Sequence, residues 1–134
     1  MKKTLIILMA AAGLFTTLHM TTTAQDKPAA AAAAPYRHIV LFKFKDDAPK
    51  EKVEGIVAAF KALKGKLPAI KSLEWGPNVS PENHSQGFSH CFTLTFASKT
   101  ALENHYLHEP AHKEFGAMLG GILDKVLVVD YVAQ

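Results

Sequence analysis

The chain has 134 residues, of which 49% are hydrophobic, with 15 Lys or Arg side chains against 12 Asp or Glu side chains. This length suits one domain with a hydrophobic core, and the near-balance of charge lacks the basic excess typical of nucleic-acid-binding proteins. Cys91 is the one cysteine, which excludes an intrachain disulfide, so the fold depends on its core.

The N-terminal segment has the three features of a secretory signal peptide. Lys2 and Lys3 precede a mostly apolar run over residues 5–18, and small residues follow over residues 21–24. A membrane anchor is the alternative, but it needs about 20 apolar residues and this run is shorter. We predict a signal peptide over residues 1–24, hence export to the periplasm or secretion, with no stable membrane anchor after cleavage.

Two further segments complete the predicted organisation. Residues 25–35 are rich in alanine and proline and offer no amphipathic face, which indicates a linker. Residues 36–134 are predicted to form the folded domain. Removal of the signal peptide also removes two lysines, which leaves 13 basic against 12 acidic side chains and a net charge of about +1. We therefore expect no nucleic-acid partner.

The first half of the domain has the pattern of a strand, a helix and a strand. Residues 38–44 are β-branched and aromatic with period-two alternation, which predicts a strand. Asp47 or Ala48 is expected to cap a helix whose first turn contains proline and which ends at Gly65. The apolar residues of this helix recur at helical spacing: Val53, Ile56, Val57, Phe60 and Leu63. A second strand is predicted over residues 70–75.

The second half begins with a polar loop and a third strand over residues 88–96. Ser98 or Thr100 is expected to cap the next helix, the latter as part of a capping box. Pro110 ends that helix, because the residue before a proline avoids helical geometry. A third helix starts near Pro110, and the last strand is predicted over residues 126–132.

The element order β-α-β-β-α-β, with the second helix broken, predicts an α+β, ferredoxin-like fold. The helices would cover one face of a four-stranded antiparallel sheet. The other face still carries apolar side chains, such as Ile39 and Leu41, that need burial. A homodimer that pairs sheet to sheet is the economical solution.

Histidines are the residues best suited to chemistry in this domain, because they titrate near neutral pH. His38 and His90 begin the first and third predicted strands, and apolar residues follow each of them on its own face. A histidine on an apolar face is more often a satisfied core group than a ligand. Two histidines at matching strand ends nevertheless favour a shared pocket.

Tyr106 and His112 flank the helix break at Pro110 and could face one cavity mouth as an acid–base pair. A helix-capping tyrosine and a solvent-facing histidine are an equally open alternative. His105, His108 and His112 have the spacing of helical metal ligands, but Pro110 interrupts the helix that would align them. We therefore predict no metal site, and no cofactor.

The domain resembles the stress-responsive A/B barrel (Dabb) family. The resemblance is carried, in order, by His38-Ile-Val-Leu-Phe-Lys-Phe-Lys, Leu67-Pro-Ala-Ile with Trp75-Gly76, Gly87-Phe-Ser-His90 before Thr95-Phe96, Tyr106 with Pro110-Ala-His112 and Phe115, and Val129-Asp-Tyr131. The Pro-Ala-His stretch is its most specific part. The family implies a dimeric α+β barrel, in which the sheets of two ferredoxin-like subunits pair.

The resemblance also implies roles for individual residues. A plant cyclase of this family folds a linear polyketide by intramolecular aldol condensation, using a tyrosine and a histidine, with two further histidines in its pocket. Tyr106 and His112 would then be catalytic, and His38 and His90 would line the pocket. Phe60 stands where the cyclase has a tyrosine, so the ligand is expected to differ. The other predicted substrate-binding residues are Val40, Phe42, Phe60, Phe92 and Phe115.

Three functions stay open at this point. The first is an exported homodimer that binds a small apolar or aromatic ligand in a pocket lined by histidine and tyrosine. The second is a cofactor-free enzyme of the aldol-cyclase, lyase or monooxygenase type, with His112 as base and Tyr106 as hydrogen-bond donor. The third is a structural or interaction module whose pocket is filled. An open cavity lined by the histidines and Tyr106 would favour the first two over the third.

Overall fold

The computed structural model describes residues 34–134, so the predicted signal peptide and residues 25–33 of the predicted linker lie outside the described residues. Seven elements follow one another along the domain: β1 (Tyr36–Phe44), α1 (Lys50–Lys66), β2 (Ser72–Pro77), β3 (His90–Phe96), α2 (Lys99–His105), α3 (Pro110–Met118) and β4 (Leu123–Val132). This order confirms the predicted α+β, ferredoxin-like fold with a broken second helix.

The four strands form one sheet in the order β2-β3-β1-β4, and every neighbouring pair is antiparallel. The central strand β1 pairs on one side with β3 and on the other with β4, so His38 lies opposite both Leu94 and Asp130. The strand β4 therefore forms one edge of the sheet.

The alternation along β1 sets the inner face of the sheet. Tyr36, His38, Val40, Phe42 and Phe44 are buried, while the residues between them are half-buried on the opposite face. This is the pattern of a strand with one face against a core. Burial of each large apolar side chain contributes about 1.5–3 kcal/mol, so β1 stabilises the core along its whole length.

Aromatic side chains form the middle of the core. The Phe60 ring on α1 lies 4.2 Å from that of Phe92 and 4.7 Å from that of Phe115, measured between ring centroids. Phe42 stacks against Phe60 and Phe115 at 5.7 and 6.3 Å. The predicted stripe of α1 is buried at Ile56, Val57, Phe60 and Leu63, and Val53 is half-buried at its edge.

The helix starts correct two of the sequence predictions. The helix α1 begins at Lys50 with Pro49 as its N-cap, and no side chain caps it. The alternatives Asp47 and Ala48 were wrong because both lie in a preceding turn, in which the Ala48 amide donates to the Lys45 carbonyl.

The start of α2 follows one of the two predicted alternatives. The side chain of Ser98 accepts a hydrogen bond from the Ala101 amide, so Ser98 is the N-cap. The capping box at Thr100 was wrong, since Thr100 lies inside the first turn of α2. The break before Pro110 was correct: α2 ends at His105 and α3 begins at Pro110. Among residues 34–134, no helix is long and apolar enough to span a bilayer.

Candidate ligand-binding site

A cavity of about 350 Å³ lies between the inner face of β1 and β4 and the helices α2 and α3. Its lining is mostly apolar: Val40, Phe42, Phe60, Leu102, Leu107, Phe115, Gly116, Leu119, Val126 and Val128. Four residues in its lining can hydrogen-bond through their side chains: His38, Tyr106, His112 and Asp130. This volume and composition fall in the range of sites for small molecules.

The polar residues and the aromatic residues lie at different ends of the cavity. The Tyr106 ring packs against two histidine rings. Its centroid lies 5.6 Å from that of His38 and 4.4 Å from that of His112. At the other end, Phe115 stacks against Phe42. His38 and Phe42 are four residues apart on β1, so their Cα positions are about 13 Å apart along the strand. The cavity therefore suits an apolar body with one polar group.

The helix break explains how Tyr106 and His112 come together. Tyr106 is the C-cap of α2, where the chain leaves helical geometry, and its side chain is buried. Pro110 then starts α3, which places His112 in the first turn of that helix. The His112 Nδ1 atom lies 3.3 Å from the Leu107 carbonyl oxygen. A carbonyl only accepts, so Nδ1 carries the hydrogen and Nε2 keeps a lone pair when the ring is neutral.

His38 is held by a partner on the neighbouring strand. Its Nδ1 atom lies 2.6 Å from the Asp130 Oδ1 atom, and its side chain is buried while that of Asp130 is 30% exposed. The carboxylate accepts the Nδ1 hydrogen, which fixes the tautomer and orientation of the ring. Asp130 therefore positions His38 in the cavity wall.

Burial sets the protonation of the pair at the helix break. It raises the pKa of the Tyr106 phenol well above its ordinary value, so the phenol stays protonated at neutral pH and can donate a hydrogen bond. Burial also lowers the pKa of His112, an effect that the hydrogen bond to the Leu107 carbonyl partly offsets. His112 is therefore neutral at pH 7 and can accept a proton.

The structure does not place His90 in this cavity. β1 and β3 are antiparallel, so their starts lie at opposite ends of the sheet, and His90 pairs with Phe42 rather than with His38. The expectation that matching strand starts share a pocket was wrong for this reason. His90 instead stacks near Trp75 and packs edge-on against Phe44, and burial lowers its pKa.

The other residues predicted to bind substrate divide in two groups. Four of them line the cavity: Val40, Phe42, Phe60 and Phe115. Phe92 does not line it, because it is fully buried behind Phe42 and Phe60 in the core. His105 and His108 are exposed and lie outside it. In the described part of the chain, no three His, Cys, Asp or Glu side chains are grouped to hold a metal ion.

Asp130 is the one polar residue of the cavity lining that the sequence analysis did not assign to the pocket. Within an apolar strand it looks like an ordinary edge-strand charge. The available signal was the pairing of the first and last strands in a ferredoxin-like sheet, which brings Asp130 opposite a buried histidine. The strand register was needed to see it.

Comparison with known proteins shows the same domain elsewhere. Residues 36–133 match the family model described as Stress responsive A/B Barrel Domain. The chain is 42% identical over 97 residues to stress-response A/B barrel domain-containing protein HS1 of Arabidopsis thaliana, across 72% of this chain and 88% of that protein. It is 30% identical over 98 residues to olivetolic acid cyclase of Cannabis sativa, across 73% of this chain and 96% of the cyclase.

Solved structures with this fold include an enzyme and a dimer. The hydroxynitrile lyase of Passiflora edulis superposes with a TM-score of 0.70 at 26% identity, over 76% of this chain and 95% of the lyase. A dimeric protein of unknown function with a ferredoxin-like fold from Bacteroides fragilis superposes with a TM-score of 0.60 at 27% identity, over 74% of this chain and 96% of that one.

Proposed function

This chain belongs to the stress-responsive A/B barrel domain family, and we propose that it binds a small aromatic or apolar molecule that carries one oxygen-containing group. The observation that supports this function is the division of the cavity into an aromatic end and a polar end. A cavity of this size that is open, rather than filled by side chains, argues against the purely structural alternative.

Each end of the cavity would contribute a different part of the binding energy. The rings of Phe42, Phe60 and Phe115 stack against one another at angles of 16–24° and would hold a flat apolar body. The protonated phenol of Tyr106 would donate a hydrogen bond to the oxygen of the ligand, and His112 would accept one from a hydroxyl. Such polar contacts fix the orientation of a ligand in an apolar site.

A matched pair of probes tests this proposal. Isothermal titration should show that 2-naphthol binds more tightly than naphthalene, because only the former can hydrogen-bond to Tyr106 and His112. A gain of about 0.5–1.5 kcal/mol, typical of one hydrogen bond, is expected. The variant Tyr106→Phe should reduce this preference, whereas the control Tyr131→Phe, on the opposite face of β4, should not. Equal affinity for both probes in the wild type would contradict the proposal.

A second candidate function is proton transfer next to a carbonyl group. It is favoured by the His112 tautomer, which leaves Nε2 as the free base, beside a phenol that stays protonated. His112 would take a proton from the carbon next to the carbonyl, and Tyr106 would stabilise the developing enolate oxygen. Two of the similar proteins are named as a cyclase and a lyase, which supports an enzymatic use of this fold.

Deuterium exchange tests the second candidate without knowledge of the substrate. The methyl protons of acetophenone should exchange in D₂O faster with the wild-type protein than in buffer, and NMR can follow this. General base catalysis of this kind contributes about 10²–10⁴ in rate. The variant His112→Ala should abolish the effect, while His108→Ala, which changes an exposed histidine, should retain it. Exchange that is the same with both variants would remove His112 from this role.

The proposal also includes assembly as a homodimer. The outer face of the sheet carries apolar side chains, including half-buried Ile39 and Leu41 and half-exposed Leu127 and Val129. The dimeric ferredoxin-like neighbours support a dimer. Light scattering at micromolar concentration should give twice the chain mass, and the interface should exceed about 1,000 Å². A monomer under these conditions would contradict this part.

Export is the last part of the proposal and depends on the sequence features of residues 1–24. Mass spectrometry of periplasmic or secreted material should find a mature N-terminus between Thr22 and Asp26. Intact Met1 in that material would contradict it.

A further inference from the structure

The edge strand β4 leaves the cavity incomplete on one side. Val126 and Val128 point to the inner side of the sheet and line the cavity, yet they are 52% and 48% exposed. The helices pack mainly against each other and against β2 and β3, whereas the main neighbour of β4 is β1. One wall of the cavity is therefore an uncovered apolar strand.

The opposite face of the same strand is also apolar and uncovered. Leu127, Val129 and Tyr131 alternate with the cavity-lining valines and are 44–47% exposed. A ten-residue edge strand that is apolar on both faces and has an unpaired backbone edge is a liability for an isolated chain. Such a strand is expected to be covered in the functional assembly.

We propose that a second copy of this chain covers β4 and closes the cavity, so that each binding site is complete only in the dimer. This inference rests on the proposed function, whose site it completes. The outer face of β4 is continuous with Ile39 and Leu41 on β1, the face proposed for dimer formation. A copy that docks there and extends past the unpaired backbone edge of β4 would also cover the inner valines, Val126 and Val128. Because a twofold pair is isologous, both cavities are closed in the same way.

Thiol accessibility tests whether a second copy covers β4. In a Cys91→Ala background, the variant Val128→Cys has one thiol on the cavity side of β4. The matched control is Met118→Cys, at a site in the helical layer with nearly the same exposure, 46% against 48%. If the second copy covers β4, a soluble disulfide reagent should modify the Val128→Cys variant more slowly than the control by about tenfold or more. Equal modification rates for the two cysteine variants, measured without any dimer-breaking substitution, would overturn the inference.

A dimer-breaking variant tests whether the site needs this cover. Val129→Lys places a charge on the outer face of β4 and leaves the cavity lining unchanged, while Met118→Lys adds the same charge at a similarly exposed site elsewhere. Circular dichroism should confirm that both variants fold. The monomeric Val129→Lys variant should bind 2-naphthol about tenfold more weakly, equivalent to about 1.4 kcal/mol. Met118→Lys should bind like the wild type.

The two experiments separate this inference from the function on which it rests. If wild-type dimers do not bind 2-naphthol, the proposed function fails, and the thiol rates still decide whether a second copy covers β4. If the Val129→Lys monomer binds 2-naphthol as tightly as the dimer does, the function stands and the composite site is overturned. Protection of the Val128→Cys thiol that persists in the monomer points to a segment of the same chain as the cover and also overturns it.

Discussion

The substitution His112→Ala separates a functional histidine from a structural one, because the structure predicts a small effect on stability. His112 is half-buried, and the hydrogen bond of its ring to the Leu107 carbonyl is long at 3.3 Å. Loss of a neutral hydrogen bond costs about 0.5–1.5 kcal/mol. Alanine favours the helix over histidine by up to about 0.7 kcal/mol and offsets part of that cost. We expect a net loss below about 1 kcal/mol at pH 7.5.

The pH dependence of stability gives the same substitution a second, more specific signature. Because burial lowers the pKa of His112 in the folded state, the unfolded chain binds the proton more readily. The wild-type protein should therefore lose stability as the pH falls below about 6.5, the ordinary histidine value. The His112→Ala variant lacks this group, so its stability should fall less over the same range and approach that of the wild type.

Urea unfolding from pH 7.5 down to pH 5.5 measures both effects. The variant His108→Ala is the control. His108 is exposed, so its replacement removes no buried group and should leave the pH profile of the wild type unchanged. A loss above about 3 kcal/mol at pH 7.5 would show that His112 is a buried structural group whose partners need it. Identical pH profiles for the wild type and the His112→Ala variant would refute the reasoning about its burial.

Substitutions at three further positions test the hydrogen bonds and the packing that hold the site together. Asp130→Ala removes the acceptor of the buried His38 Nδ1 hydrogen and should cost about 1–2 kcal/mol in urea unfolding at pH 7, while Asp130→Asn, which keeps an acceptor, should cost less. Phe60→Ala should cost about 3–5 kcal/mol, because its ring is buried against Phe92. Ser98→Ala should cost about 0.5–2 kcal/mol in thermal unfolding by loss of the α2 N-cap, with no change in 2-naphthol affinity.

The fold could be predicted because its strands and helices carry strong periodic patterns. In β1, every second residue is buried as the alternation predicts, and the stripe of α1 faces the core. Pro110 marks the break between α2 and α3 by simple sterics. Element ends were less predictable: β4 starts at Leu123 rather than at residue 126, because pairing with Phe44 extends it.

The site could be predicted only where local sequence determines geometry. Tyr106 and His112 are six residues apart across a proline break, so local structure brings them together. His38 and Asp130 are 92 positions apart and meet only through the β1–β4 register. His90 was grouped with His38 on strand position alone, and strand direction separates them. Long-range register, which no local pattern encodes, accounts for both errors.

The most direct test of the central claim is an NMR titration of the ¹⁵N-labelled protein with 2-naphthol. If the cavity is the binding site, the amide signals of Tyr106, His112 and Gly116, which line it, should shift together and saturate with one affinity. Signals of the loop before β3, such as Ser80 and Glu82, lie outside this cavity and should stay unchanged. Shifts confined to that loop or to the outer face of the sheet, or no saturable shift at all, would contradict the account.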